Sequence, residues 1–196
     1  MKKIVLTSCG IINDDFKKKF YKLLDKDINT LKVLYITTAM DGEPDSEKTW
    51  IEKEKENILN LGIKKENMTE YKIGQSNPNI FDFDIMYMLG GNTFYLTDMI
   101  RKHHFDTQIK DFIKKGKIYI GSSAGSEILG NSITPAIGYD ENNVNMTDFT
   151  GLKIIDGLII PHVNRKKEYI ESLQTNEKLF LLYDGDGIII KDDIYE

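Results

Sequence analysis

The chain has 196 residues, a formal net charge of −5, 40% hydrophobic and 29% charged residues, and a single cysteine. That length and apolar share suit one folded domain over residues 1–196 rather than a disordered chain. The acidic balance argues against a nucleic-acid binder, Cys9 alone allows no intrachain disulfide, and no run approaches the roughly 18–20 apolar residues of a membrane helix.

The opening Met-Lys-Lys-Ile-Val-Leu-Thr is too briefly apolar for a signal peptide, so residues 3–7 read as a first strand and the expected location is cytoplasmic. Residues 13–24 place Phe16, Phe20, Leu23 and Leu24 on one helical face, with Asn13 or Asp14 as the cap. A second strand follows at 32–37, and a second helix at 46–61 carries Trp50, Ile51, Ile58 and Leu61 and stops at Gly62. Residues 68–73 and 84–89 are the next strands, the latter running into Gly90-Gly91. Helices are expected over 93–102 and 106–115, the second closed by Gly116, and a fifth strand at 118–121 leads into Ser-Ser-Ala-Gly-Ser. Residues 131–150 are polar and read as a long loop; a strand lies within 154–160 and a short helix at 166–173. The segment 180–183, Asp184-Gly-Asp-Gly and 188–191 reads as a β-hairpin. Alternation of strand and helix implies parallel strands with helices on both faces of the sheet. Reactive groups in such folds gather at the carboxyl ends of the strands.

Two segments with unusual chemistry sit at such ends. Gly121-Ser122-Ser123-Ala124-Gly125 is a Gly-x-Ser-x-Gly after a strand, the pattern that exposes a serine hydroxyl on a tight strand-to-helix turn. Gly90-Gly91-Asn92 also lies between strand and helix, and without Cβ atoms its amides can approach a substrate carbonyl closely. A serine needs a base. His103 and His104 are adjacent at a helix end, without the i, i+4 spacing of a metal pair, whereas His162 follows an apolar run and a proline just past a strand. Asp140, Glu141, Asp148 and Asp156 lie between serine and histidine, and each is a candidate for the carboxylate that orients the ring. Cys9 reads as a buried-edge cysteine, Asp184-Gly-Asp-Gly as a turn lacking the further ligands of a calcium loop, and the lysines at 17–19 and 166–167 as solvated helix faces. Arg165, three residues from His162, is set apart from that run. No phosphate-binding glycine motif is present and no metal or organic cofactor is expected.

Leu89-Gly-Gly-Asn-Thr-Phe-Tyr-Leu96, Ile120-Gly-Ser-Ser-Ala-Gly-Ser126 and Ile160-Pro-His162 together resemble the dipeptidase E group, the aspartyl dipeptidase and cyanophycinase family of serine peptidases. The resemblance runs over nearly the whole chain. It implies a flavodoxin-like α/β fold similar to class I glutamine amidotransferases, with serine in place of their elbow cysteine. It also implies Ser123 as nucleophile, His162 as base, Asp140 as the acid with Glu141 in reserve, and oxyanion donors at Gly90, Gly91 and the amide of Ala124. Asn92 and Arg165 are the expected substrate-binding side chains, a guanidinium being suited to grip a carboxylate. The expected partner is a short peptide, with no nucleic acid or membrane, and the expected assembly is a monomer or homodimer. Two other readings fit the same residues: an esterase of the α/β-hydrolase type, and a non-catalytic binding protein in which residues 131–150 form a lid.

Overall fold

The computed structural model describes residues 1–44, 50–76, 78–192 and 194–196. Its main sheet has seven strands in the order β3-β2-β4-β5-β1-β8-β9. Five are mutually parallel: β1 (Lys3–Thr7), β2 (Val33–Ile36), β3 (Met68–Tyr71), β4 (Ile85–Met88) and β5 (Ile118–Ser122). Counted from β2, this is the flavodoxin-like order, with the amino-terminal strand taking the last parallel place.

Both faces of this sheet are covered, and alternation along each strand shows it. Ile4, Leu6, Leu34, Ile36, Met86, Met88 and Tyr119 join one buried cluster; Val5, Val33, Tyr35, Ile85, Tyr87, Ile118 and Ile120 join the other. Successive side chains point to opposite faces, so a strand apolar at every position must be buried twice. The first cluster takes in residues of α3 (Thr93–Lys102), α4 (Phe105–Lys114) and α5 (Ala124–Glu127), and the second those of α1 (Asp14–Tyr21) and α2 (Ile51–Leu59). The caps are encoded locally. The Asn13 side chain accepts from the Asp15 and Phe16 amides to start α1. The amino-terminal part of the second expected helix, residues 45–49, lies outside the described residues.

Two expectations are corrected here. β7 (Leu179–Leu182) does not form a hairpin with β8 (Gly187–Lys191). β7 pairs in parallel with β6 (Leu158–Pro161) in a separate two-stranded sheet, while β8 runs antiparallel to β1. Asp184-Gly-Asp-Gly therefore links two sheets; the hairpin partner of β8 is β9 (Ile194–Tyr195). Turn chemistry marks a reversal without specifying which strand comes alongside. The second correction concerns Lys166, which precedes α6 (Lys167–Ser172) and is 5% exposed rather than solvated.

This topology brings the carboxyl ends of β1, β4, β5, β6 and β7 to the same place. Ser8, Gly90, Ser123, His162 and Asp184 follow those five ends within two residues. Among the described residues no helix is long and apolar enough to cross a membrane.

Candidate active site

Ser123 stands between β5 and α5 with φ +47° and ψ −114°, a backbone region that a side chain rarely occupies. Its surroundings hold it there. The Ser123 amide donates to Thr7 O at 3.0 Å, and Ser123 O accepts from the Ser126 and Glu127 amides to open α5. The Ser126 hydroxyl bonds Thr7 O and Gly121 O, both at 2.8 Å, and ties the end of β1 to the turn. Gly125 must be glycine because a Cβ there would sit 2.1 Å from Met88 O.

The hydroxyl of Ser123 lies 3.0 Å from His162 Nε2. On the other side of the ring, His162 Nδ1 lies 2.6 Å from Asp184 Oδ1. An ionised carboxylate only accepts, so Nδ1 carries the ring proton and Nε2 faces the serine as an acceptor. Ser8, 1% exposed, stitches the same corner together. Its hydroxyl donates to Asp184 Oδ1 at 2.7 Å and accepts from the His162 backbone amide at 2.8 Å. Arg165, an exposed side chain, brings Nη2 to 3.0 Å from His162 Nδ1 and 3.5 Å from Asp184 Oδ2.

Burial lowers the pKa of His162 below the ordinary histidine value, against the upward pull of Asp184. Burial alone would raise Asp184, but the hydrogen bonds from Ser8 and His162 and the nearby positive charges outweigh it and hold the carboxyl below its usual range. The ring is thus neutral and the acid ionised at neutral pH, the state in which Nε2 can take a proton from the serine.

Asp140 and Glu141, expected beside His162, are elsewhere. Asp140 Oδ2 accepts from the Thr93 amide at 2.7 Å, and the Glu141 carbonyl accepts from Asn92 Nδ2 at 2.8 Å. Both serve the amino terminus of α3. Asn92 is likewise not free for substrate: its Oδ1 caps α3 through the Tyr95 amide, and the residue is 1% exposed. The carboxylate that meets the ring is instead Asp184, after the histidine in sequence. Composition gave it no mark beyond the Asp-Gly pair that made it look like a turn. Asp148 caps its own turn through the Thr150 amide, and Asp156 accepts from Asn131.

The Gly90-Gly91 turn does pack against the serine, since a Cβ on Gly90 would lie 2.8 Å from Ser123 Cβ. Gly91 has φ +126°. Ala124 opens α5, so its amide has no acceptor inside the helix.

A cleft of about 660 Å³ opens over these groups. It also touches acids not anticipated from sequence, Glu54 and Glu127 among them. Glu54 of α2 is buried and accepts from Tyr87 OH at 2.7 Å; burial raises its pKa. Glu127, one turn along α5 from Ser123, is buried beside Lys166 and is also raised by burial. Cys9 lines the cleft too, and burial pushes its thiol up, away from the reactive thiolate. His103 and His104 are exposed at the junction of α3 and α4, as expected. Among the described residues no group of three or more His, Cys, Asp or Glu is placed to hold a metal ion.

The chain is similar to several known proteins. It is 31% identical over 133 residues to an uncharacterized peptidase of Listeria monocytogenes, covering 64% of each chain. It is 31% identical over 113 residues to peptidase E of Shewanella amazonensis, covering 58% of this chain and 46% of that protein. The alignments thus span less than two thirds of these relatives. In structure it resembles a candidate peptidase E protein from Listeria monocytogenes, with a TM-score of 0.83, 26% identity, and coverage of 100% of this chain and 97% of that one. A peptidase from an acI-B1 Actinobacterium shares the fold, with a TM-score of 0.67 at 18% identity over 97% of this chain and 84% of that one. The sequence model of peptidase family S51 matches residues 4–196, and the chain belongs to that family.

Proposed function

We propose that this protein is a serine peptidase that hydrolyses short peptides through an acyl-enzyme. The observation that carries the reading is the hydrogen-bonded line from Ser123 Oγ to His162 Nε2, and from Nδ1 to Asp184, with Ser123 and His162 lining a cleft. The Ser123 turn has the strand–turn–helix form of a nucleophile elbow.

In this mechanism Ser123 Oγ attacks the scissile carbonyl while its proton passes to His162 Nε2. Asp184 keeps the ring in the right tautomer and stabilises the cation that forms. The amides of Gly91 and Ala124 face the oxygen on which charge develops, a contribution of roughly 3–4 kcal/mol per donor in comparable sites. His162 then returns the proton to the leaving amine. Water attacks the acyl-enzyme by the same route in reverse order, freeing Ser123 and the acid product. Arg165, an exposed guanidinium lining the cleft beside His162, is the candidate to bind a carboxylate of the substrate. With the peptidase E relatives, this favours dipeptides that begin with aspartate.

The test pairs a fluorophosphonate probe with hydrolysis of Asp-Leu. The wild type is expected to be labelled at Ser123 and to release leucine, and Ser123→Ala to do neither. Equal leucine release by both proteins would remove Ser123 from the mechanism.

A further inference from the structure

The three reacting groups stand on two different sheets. Ser123 follows β5 of the main sheet, whereas His162 and Asp184 follow β6 and β7 of the two-stranded sheet. Apolar packing joins the sheets: Ile159, Phe180 and Leu182 lie in the same buried cluster as Leu6 and Met88. Burial of this kind is non-directional. A misplacement of about 1 Å among reacting groups can cost about 100-fold in rate, so the seam between the sheets needs a directional tie. Ser8 supplies one. It directly follows β1, which pairs with β5 so that Thr7 lies opposite Ser122. Its hydroxyl donates to Asp184 Oδ1 at 2.7 Å and accepts from the His162 amide at 2.8 Å. Ser8 Oγ is also 3.0 Å from His162 Nδ1, whose own proton points to the same Asp184 oxygen.

Among the described residues, every hydrogen bond of this hydroxyl ends on the base or the acid. Neighbouring hydroxyls differ. Thr7 Oγ1 donates to Gly121 O and accepts from the Gly10 amide, and Ser126 Oγ bonds the main chain of Thr7 and Gly121. Those two fasten backbone to backbone, whereas Ser8 fastens the main sheet to two working side-chain positions of the other. Both of its partners need holding. His162 has φ +57°, a left-handed backbone that residues with a Cβ rarely adopt. Its amide is fixed by Ser8, and its carbonyl by the Arg165 amide at 2.8 Å. Asp184 lies in the segment linking β7 to β8, and its own amide makes a long bond of 3.3 Å to Asn164 Oδ1. Burial alone would raise its carboxyl, and the Ser8 hydrogen bond leads the contacts that hold it low.

We propose that Ser8 is a positioning residue of this site: it locks the His162–Asp184 pair of one sheet against the Ser123 nucleophile of the other. It touches no reacting atom and acts only through the ring and its acid. This rests on the serine peptidase reading above and adds to it the group that sets the base in register with the serine.

The test is a double-mutant cycle read by the rate of Ser123 labelling with a fluorophosphonate, alongside kcat and KM for Asp-Leu. Ser8→Ala is expected to slow labelling and lower kcat at least about 10-fold while KM stays within about 3-fold, because the loss is one of alignment and not of substrate binding. In a His162→Ala background no ring remains to be placed, so adding Ser8→Ala is expected to slow the residual labelling less than about 2-fold. Ser8→Thr keeps the hydroxyl and should stay within about 5-fold of wild type, whereas Ser8→Cys, a weaker donor, should lose at least about 10-fold. These two variants carry the test if Ser8→Ala does not fold. Full labelling of Ser8→Ala or Ser8→Cys, an equal loss with and without His162, a Ser8→Thr protein as slow as Ser8→Cys, or a raised KM with kcat unchanged would each overturn the proposal. The peptidase reading fails separately, if wild-type protein is labelled at Ser123 yet releases no leucine from Asp-Leu. A wild type that resists the probe overturns both.

Discussion

Asp184→Asn is the sharpest probe of how this site works. The substitution keeps the shape of the side chain but lets an amide N–H face His162 Nδ1 across the present 2.6 Å contact. The ring then favours the tautomer with its proton on Nε2, which donates to Ser123 and cannot accept from it. In the Ser-His-Asp template this exchange lowers kcat about 10⁴-fold. Here the Asp184 side chain is 30% exposed, so water partly relieves the wrong tautomer. We expect a loss of about 10³- to 10⁴-fold, equivalent to about 4–5.5 kcal/mol of transition-state stabilisation. The assay is the rate of Ser123 labelling by a fluorophosphonate at neutral pH, with Asp140→Asn as the control. Asparagine at 140 keeps an oxygen for the Thr93 amide, so its labelling should stay within about 3-fold of wild type. Labelling of Asp184→Asn within that same margin, or an equal collapse of Asp140→Asn, would refute the assignment of the acid.

Two further outcomes follow from the geometry. The base works only when His162 is neutral, and burial holds its pKa below 6.5, so kcat/KM should rise with pH through a limb below 6.5 and stay flat across neutrality; a limb at or above 6.5 in the pH profile would contradict this. Gly125→Ala places a methyl group 2.1 Å from Met88 O and must push α5 away from β4. A loss of roughly 2–3 kcal/mol in urea unfolding, together with slower Ser123 labelling, is expected, and an unchanged midpoint would show that the contact yields freely.

Much of this protein is written locally. Doubly apolar runs such as Ile85–Met88 determine buried parallel strands, because side chains of period 2 leave neither face for water. Asn13, Gly62 and Gly116 mark helix ends through chemistry confined to one turn. Gly121 to Gly125 marks the sharp turn because only small residues fit beneath it. Ser123 and His162 were legible for the same reason: each directly follows a strand.

The acid was not. Asp184 looks like a hairpin residue until β7 is seen to pair with β6 and β8 with β1, and those pairings depend on which distant apolar faces need covering. Asp140 looks like the partner of His162, and Asn92 like a side chain free for substrate, until an oxygen of each is found on an amide that begins α3. Lys166 reads as one more surface lysine, yet it is buried against Tyr139 and faces Glu127. What a charged or polar side chain does depends on the partner that reaches it, and that partner can come from anywhere in the chain. Turn chemistry and hydrophobic period act over a few residues and so are carried by the sequence, whereas the pairing of one carboxylate with one imidazole exists only once the strands have been laid side by side.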